Sequence, residues 1–184
     1  MPETCRKCGT PVDFNRTTCA NCETFIGFPN VRCAEAMQDT LDRRYHDALA
    51  DAERRGCGPQ IKELETLLSN SVATINVHPK LMYCIAAGAK YVSYHKAVGV
   101  FRELAERKYH AHRCAVDAKI HTGYEKEILN AALSPDGRGL TNYGPVTLQL
   151  KERAIDHRVS VMGENAFKFY KRHDLGSLNA EEKL

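Results

Sequence analysis

Two pairs of cysteines near the N-terminus carry the clearest chemistry in the chain. Cys5-Arg-Lys-Cys8-Gly9 and Cys19-Ala-Asn-Cys22 are Cys-x-x-Cys turns separated by ten residues. Such a turn aims both sulfurs to one side, and two of them face to face make a tetrahedral S4 cage with Zn–S distances of about 2.3 Å. Gly9 follows the second sulfur of its turn, where the backbone often needs a positive φ that glycine adopts at little cost. A redox Cys-x-x-Cys would open a helix after a strand, and no strand-like apolar run precedes Cys5. Four thiolates leave no open coordination position, so the expected role of the ion is structural. An ion held in this way supplies about 10–16 kcal/mol of apparent folding free energy to a segment that has almost no core.

Residues 5–24 resemble the short zinc ribbons found at the start of many bacterial proteins, whose pattern is Cys-x-x-Cys-Gly, about ten residues, Cys-x-x-Cys-Gly. Glu23 stands where the second glycine usually is. The resemblance implies a ribbon over residues 1–28, with Zn2+ as a structural cofactor on Cys5, Cys8, Cys19 and Cys22.

Two further groups have metal-ligating or catalytic residue types. In Tyr109-His-Ala-His-Arg-Cys114, the side chains of His110, His112 and Cys114 would share one side of a strand. With His121 or a water they would make an N/N/S zinc site; on a helix the same positions diverge. Tyr94-His95 follows a short β-like run, and Glu164 follows Gly163 after the last expected strand. A carboxylate at a strand end is placed to enter a cleft, where partial burial would raise its pKa. The alternative is an acid at the start of a helix over 166–170, favourable with the helix dipole.

The stretch from Asp136-Gly-Arg-Gly-Leu-Thr-Asn-Tyr143-Gly-Pro-Val-Thr-Leu-Gln-Leu-Lys151 to Ile155-Asp-His-Arg-Val-Ser-Val161 resembles part of some bacterial mono-ADP-ribosyltransferase-like toxin domains. The resemblance implies a bent, split antiparallel sheet that binds NAD. It would give Glu164 the role of the catalytic carboxylate at the nicotinamide ribose. Tyr94 and His95 would be the Tyr-His pair at the adenosine ribose, and Tyr143 would stack on the nicotinamide.

Positioning these residues requires a mixed α+β chain: the ribbon, a long amphipathic helix, then a helix and antiparallel-sheet domain. Val31, Ala34, Met37, Leu41, Tyr45, Ala48 and Ala52 recur at helical spacing, with Asn30 as N-cap and Gly56-Cys-Gly-Pro59 as the stop. The pattern predicts a second helix over 60–69, a strand over 71–77 closed by His78-Pro79, and a buried helix over 81–88. It continues with a strand over 91–95 and helices over 98–107 and 125–133. After the turn cluster Ser134-Pro-Asp-Gly-Arg-Gly139 come a strand over 146–150, a short helix or turn over 151–157 and a strand over 158–161. The expected domains are the ribbon at 1–28, a connecting helix at 29–58, the α+β domain at 59–175 and a flexible tail at 176–184. No internal repeat stands out.

Hydrophobic residues at 43% and charged residues at 27% describe a folded globular chain. The longest apolar run, Leu81 to Ala89, is too short to span a bilayer, and the first residues lack an apolar signal region. A cytoplasmic, reducing location is therefore expected, in which the eight cysteines hold metal rather than disulfides. The net charge of +3 is diffuse: residues 1–92 balance 11 cations against 11 acids. Three function classes follow. One is an NAD-dependent transferase or glycohydrolase. The second is a nucleic-acid binder using the ribbon and Arg102, Arg107, Lys108, Arg113 and Lys119, although aromatic interleaving there is sparse. The third is a regulatory protein that meets a protein partner through the long helix.

Overall fold

The computed structural model describes residues 3–101 and 110–175. The architecture is α+β, with a 26-residue helix following the cysteine segment and a three-stranded antiparallel sheet beyond it. The described residues fall into two compact units. Of the described residues, one draws on 3–30, 91–101, 110–129 and 160–175, the other on 31–90 and 130–159.

The second unit is organised by β1, Val72–Val77, which is central in the order β2-β1-β3. Its β-branched residues suit a strand paired on both edges. Val72 faces Ser134 and Thr74 faces Ala132 on β2, Ala132–Ser134; Thr74 faces Gln149 and Val77 faces Val146 on β3, Val146–Gln149. Thr74, Ile75 and Val77 form the buried centre.

Asn76 ties the sheet to the loop between β2 and β3. Its Nδ2 donates to Arg138 O (3.1 Å), Thr147 Oγ1 (3.0 Å) and Gly144 O (3.3 Å), while its Oδ1 accepts from Leu140 N (2.6 Å). The turn itself is closed by Asp136 Oδ1, which accepts from Ser134 Oγ (2.8 Å) and Arg138 N (3.0 Å). Gly139, at φ 66°, brings the backbone so close that a Cβ would lie 2.2 Å from Asn76 Oδ1. A single-turn helix over Thr141–Tyr143 follows.

The long helix, α1, runs Pro29–Arg54. It begins one residue before the expected N-cap, so Asn30 lies inside it and Pro29 takes the first position, where the missing N–H costs nothing. Ala52 is buried, yet every residue from Glu35 to Ala48 is exposed, including the stripe Met37, Leu41 and Tyr45. Helix α2, Gly58–Ser69, also leaves Leu64, Leu67 and Leu68 about half exposed. Tyr45 donates to Glu65 Oε1, which joins the two helices and pushes the Tyr45 phenol above its ordinary value. Helix α3, Pro79–Ala86, has His78 as N-cap, with Nδ1 accepting from Lys80 N. None of its residues is fully buried, contrary to the expectation of a buried helix.

The first unit combines the cysteine segment with α4 (Tyr94–Val100), α5 (His110–Ile120) and α7 (Ala166–Arg172); α6, Glu152–Ile155, belongs to the other unit. Helix α5 packs on α7, with Val116 of α5, Ala97 of α4 and Tyr170 of α7 buried. Phe14 meets Tyr124 with ring centroids 6.0 Å apart.

Three expected elements take another form. Residues 91–95 are not a strand, because Ser93 Oγ accepts from Lys96 N and caps α4 there. Residues 125–133 form a turn followed by β2, since a short apolar run fits strand as well as helix and the free edge of β1 decides for strand. Residues 158–161 are not a strand: both edges of β1 are already paired, and Val159 and Val161 stay exposed. The expected helix over 98–107 begins earlier, at Tyr94. Its part beyond Phe101, and the expected tail over 176–184, lie outside the described residues.

Candidate metal centre

The two cysteine turns are built alike. Cys5 N donates to Thr10 O (2.8 Å) and Gly9 N to Cys5 O (2.8 Å); Cys19 N donates to Thr24 O (2.9 Å) and Glu23 N to Cys19 O (3.0 Å). An outer rung pairs Val12 N with Glu3 O (2.8 Å) and Ile26 N with Thr17 O (2.9 Å), around the matching bridges Thr4–Pro11 and Thr18–Phe25. The second turn thus repeats the first fourteen residues later. Thr4-Cys-x-x-Cys-Gly-Thr10 and Thr18-Cys-x-x-Cys-Glu-Thr24 carry the same frame, a repeat that the sequence analysis missed. Gly9 at φ 72° and Glu23 at φ 55° share the left-handed region, so the missing glycine does not alter the second turn. Glu23 takes the strain that glycine avoids.

All four sulfurs lie within 4.8 Å of one another. Cys5 Sγ is 3.7 Å from Cys22 Sγ, and Cys8 Sγ is 3.6 Å from Cys19 Sγ. A regular tetrahedron with Zn–S bonds of about 2.3 Å has edges of about 3.8 Å, whereas a disulfide would need about 2.05 Å. The cage therefore fits one zinc-sized ion, with each turn giving two sulfurs.

Thr10 and Thr24 complete the surroundings. Their hydroxyls lie 3.4 Å from Cys8 Sγ and Cys22 Sγ, and each donates to its sulfur once that sulfur is a thiolate. The Thr10 hydroxyl and backbone N–H, followed by the Asn21 side chain, lower the Cys8 thiol to about 5. The Thr24 hydroxyl and backbone N–H likewise hold Cys22 below its ordinary value. Backbone N–H groups of Cys22 and Asn21 favour the Cys19 thiolate, but burial and the neighbouring thiols prevail and push it up. Hydrogen bonds thus favour the thiolate form at Cys8 and Cys22, the form in which a cysteine binds a metal ion.

The remaining sequence candidates are distributed differently. His110 and Cys114 share one face of α5, while His112 is turned into the buried interior, so those three do not form the strand-like set. Across from that face stands α4. Tyr94 Oη is 3.1 Å from His110 Nδ1, His95 Nε2 is 2.9 Å from Asp117 Oδ2, and His95 Nδ1 is 3.9 Å from Cys114 Sγ. The Arg113 guanidinium lies 4.2 Å from the Tyr94 ring centroid and its Nε is 3.5 Å from Asp117 Oδ2. Burial, then the Asp117 charge, pushes the Cys114 thiol up, which leaves it protonated rather than a ready nucleophile. Burial pushes His121 below the ordinary histidine value.

Glu164 is not at a strand end. It precedes α7 and is ion-paired with Arg172, while the N-cap is Asn165, whose Oδ1 accepts from Phe167 N (3.0 Å) and Lys168 N (3.4 Å). Glu164, Tyr94 and His95 belong to the first unit; Tyr143 belongs to the second and is 47% exposed. Arg102, Arg107 and Lys108 lie outside the described residues. No helix of the described residues is long and apolar enough to cross a membrane.

Compared with known proteins, the chain matches no family model, no curated protein and no solved structure. The cysteine tetrad, the one group among the described residues with all its ligand atoms within 4.8 Å, stands on its own geometry.

Proposed function

We propose that the chain is a zinc-ribbon protein of the binding or regulatory class, in which one Zn2+ on Cys5, Cys8, Cys19 and Cys22 acts as a structural clip. The observation that carries this reading is the mutual distance of the four sulfurs, held by two turns of identical hydrogen bonding. Four sulfur ligands saturate a tetrahedral ion, so it has no position for substrate. The ion's part is to hold residues 3–28, which bury little besides Cys5 and Cys19 themselves. Their backbone polar groups would otherwise return to water.

The exposed stripe of Met37, Leu41 and Tyr45 supports contact with a protein over contact with nucleic acid. Of the basic residues considered for nucleic acid, Arg113 is already committed to Tyr94 and Asp117. No observation favours the ADP-ribosyl transfer reading, because Glu164 is neutralised by Arg172 and His95 is engaged with Asp117.

Hydrogen exchange before and after zinc removal by a strong chelator tests the proposal. Loss of protection at the Cys5, Gly9, Cys19 and Glu23 amides is the expected result. Unchanged protection at those amides in zinc-free, fully reduced protein would overturn it.

A further inference from the structure

The α4–α5 face holds a second set of metal-ligand types that the cysteine cage does not use. Cys114 Sγ lies 3.9 Å from His95 Nδ1 and 3.7 Å from His110 Nε2. A tetrahedral ion with bonds of about 2.3 Å to sulfur and about 2.0–2.1 Å to imidazole would set an S···N edge of about 3.6 Å. Both separations are within a few tenths of an ångström of that edge.

The other nitrogen of His95 is also occupied in the manner of a metal-ligating histidine. His95 Nε2 faces the Asp117 carboxylate at 2.9 Å, whereas both nitrogens of His110 lie near the sulfur, Nδ1 at 3.8 Å and Nε2 at 3.7 Å, with Nδ1 also 3.1 Å from the Tyr94 hydroxyl. The Asp117 carboxylate fixes the His95 ring and its tautomer and leaves Nδ1 as acceptor for the ion. Asp117 is itself buried and steadied by Arg113.

We infer that His95, His110 and Cys114 form a second site, for a single divalent ion of the zinc and cobalt class, with Asp117 as positioning residue. The two rings each reach the sulfur but not yet each other, since the trio is not among the groups with every pair within 4.8 Å. Metal binding closes that gap by rotation of the His110 imidazole, while Asp117 holds His95 in place. The Cys114 thiol loses its proton to solvent as the metal–sulfur bond forms. Three protein ligands leave the fourth position to water, which is the ligand count of reactive rather than structural zinc sites. The site is independent of the cysteine ribbon, because it shares no ligand with it.

Cobalt titration of the full chain, with the ribbon kept zinc-loaded and its zinc measured in parallel, tests the inference. One equivalent of Co2+ should give tetrahedral d–d absorption with a charge-transfer band of a single thiolate. The band should be lost in Cys114→Ala, and affinity should fall at least tenfold in His95→Gln and His110→Gln. Asp117→Asn should weaken binding about 10–100-fold while leaving the band in place. Cys57→Ala, a change at an exposed thiol elsewhere, should alter nothing. In wild-type protein, Co2+ or Zn2+ should also slow alkylation of Cys114 read by peptide mass, which needs no variant to fold. An octahedral spectrum without charge transfer, a spectrum unchanged in Cys114→Ala, or alkylation unaffected by metal would each overturn the site.

Discussion

Replacing Asn76 by alanine isolates the polar hub that fixes the loop between β2 and β3. The change removes donors to Thr147 Oγ1 at 3.0 Å and Arg138 O at 3.1 Å and the acceptor of Leu140 N at 2.6 Å, besides the longer contact to Gly144 O. At about 1 kcal/mol net for each of three good hydrogen bonds, the loss is about 3 kcal/mol, and water reaching this half-buried position reduces it to about 2–3 kcal/mol. With a urea slope of about 2 kcal/mol/M, the unfolding midpoint falls by about 1 M. Hydrogen exchange supplies the local readout: the Leu140 amide loses protection, while the Val116 amide in the other unit keeps its own. Asn76→Asp, which retains the acceptor for Leu140 but sets a carboxylate against two carbonyl oxygens, should be no better than alanine. A midpoint within about 0.2 M of wild type, with Leu140 still protected, would refute the hub, since less than 0.5 kcal/mol would then be at stake.

Other outcomes follow from single contacts. Gly144→Ala would place a Cβ 2.3 Å from the Val77 carbonyl carbon and oxygen, which are backbone and cannot move aside; thermal melting should show a loss of about 1–3 kcal/mol. Thr10→Val together with Thr24→Val keeps the shape of the cysteine turns but removes both hydroxyls, and competition with a zinc chelator should read an affinity lower by about tenfold or more. The Asp136 carboxyl is held below its ordinary value by the Arg138 backbone N–H and the Ser134 hydroxyl, so its stabilising effect is complete above about pH 4 and fades as pH falls through the lower, folded-state value. Asp136→Asn should flatten that acid limb of the stability curve.

What the sequence discloses follows how local each signal is. The cysteine turns are legible because two ligands at three-residue separation need only one turn of chain, and the same holds for α1, whose stripe repeats over about six turns. β1 is legible from its β-branched residues, but its partners are not: Ala132–Ser134 and Arg158–Val161 are both short stretches with two apolar residues, and only the pairing of β1 on both edges separates them. Asn76 carries no motif at all, since its role arises from a loop more than sixty residues away. His95 and Asp117 meet only because α4 folds against α5, so the strand-like reading of His110, His112 and Cys114 could not find them. The threonines beside the sulfurs were within reach, through the fourteen-residue repeat of Thr-Cys-x-x-Cys-x-Thr.

Metal content measured by native mass spectrometry on protein purified without chelators, with free thiols counted after denaturation, bears most directly on the cysteine cage. Zinc should be bound at the ribbon in the wild type, and Cys5→Ser with Cys19→Ser should remove that equivalent, all four sulfurs being recovered as thiols from the wild-type protein. A wild-type chain that carries no zinc, or whose Cys5–Cys22 and Cys8–Cys19 pairs are recovered as disulfides, would contradict the account.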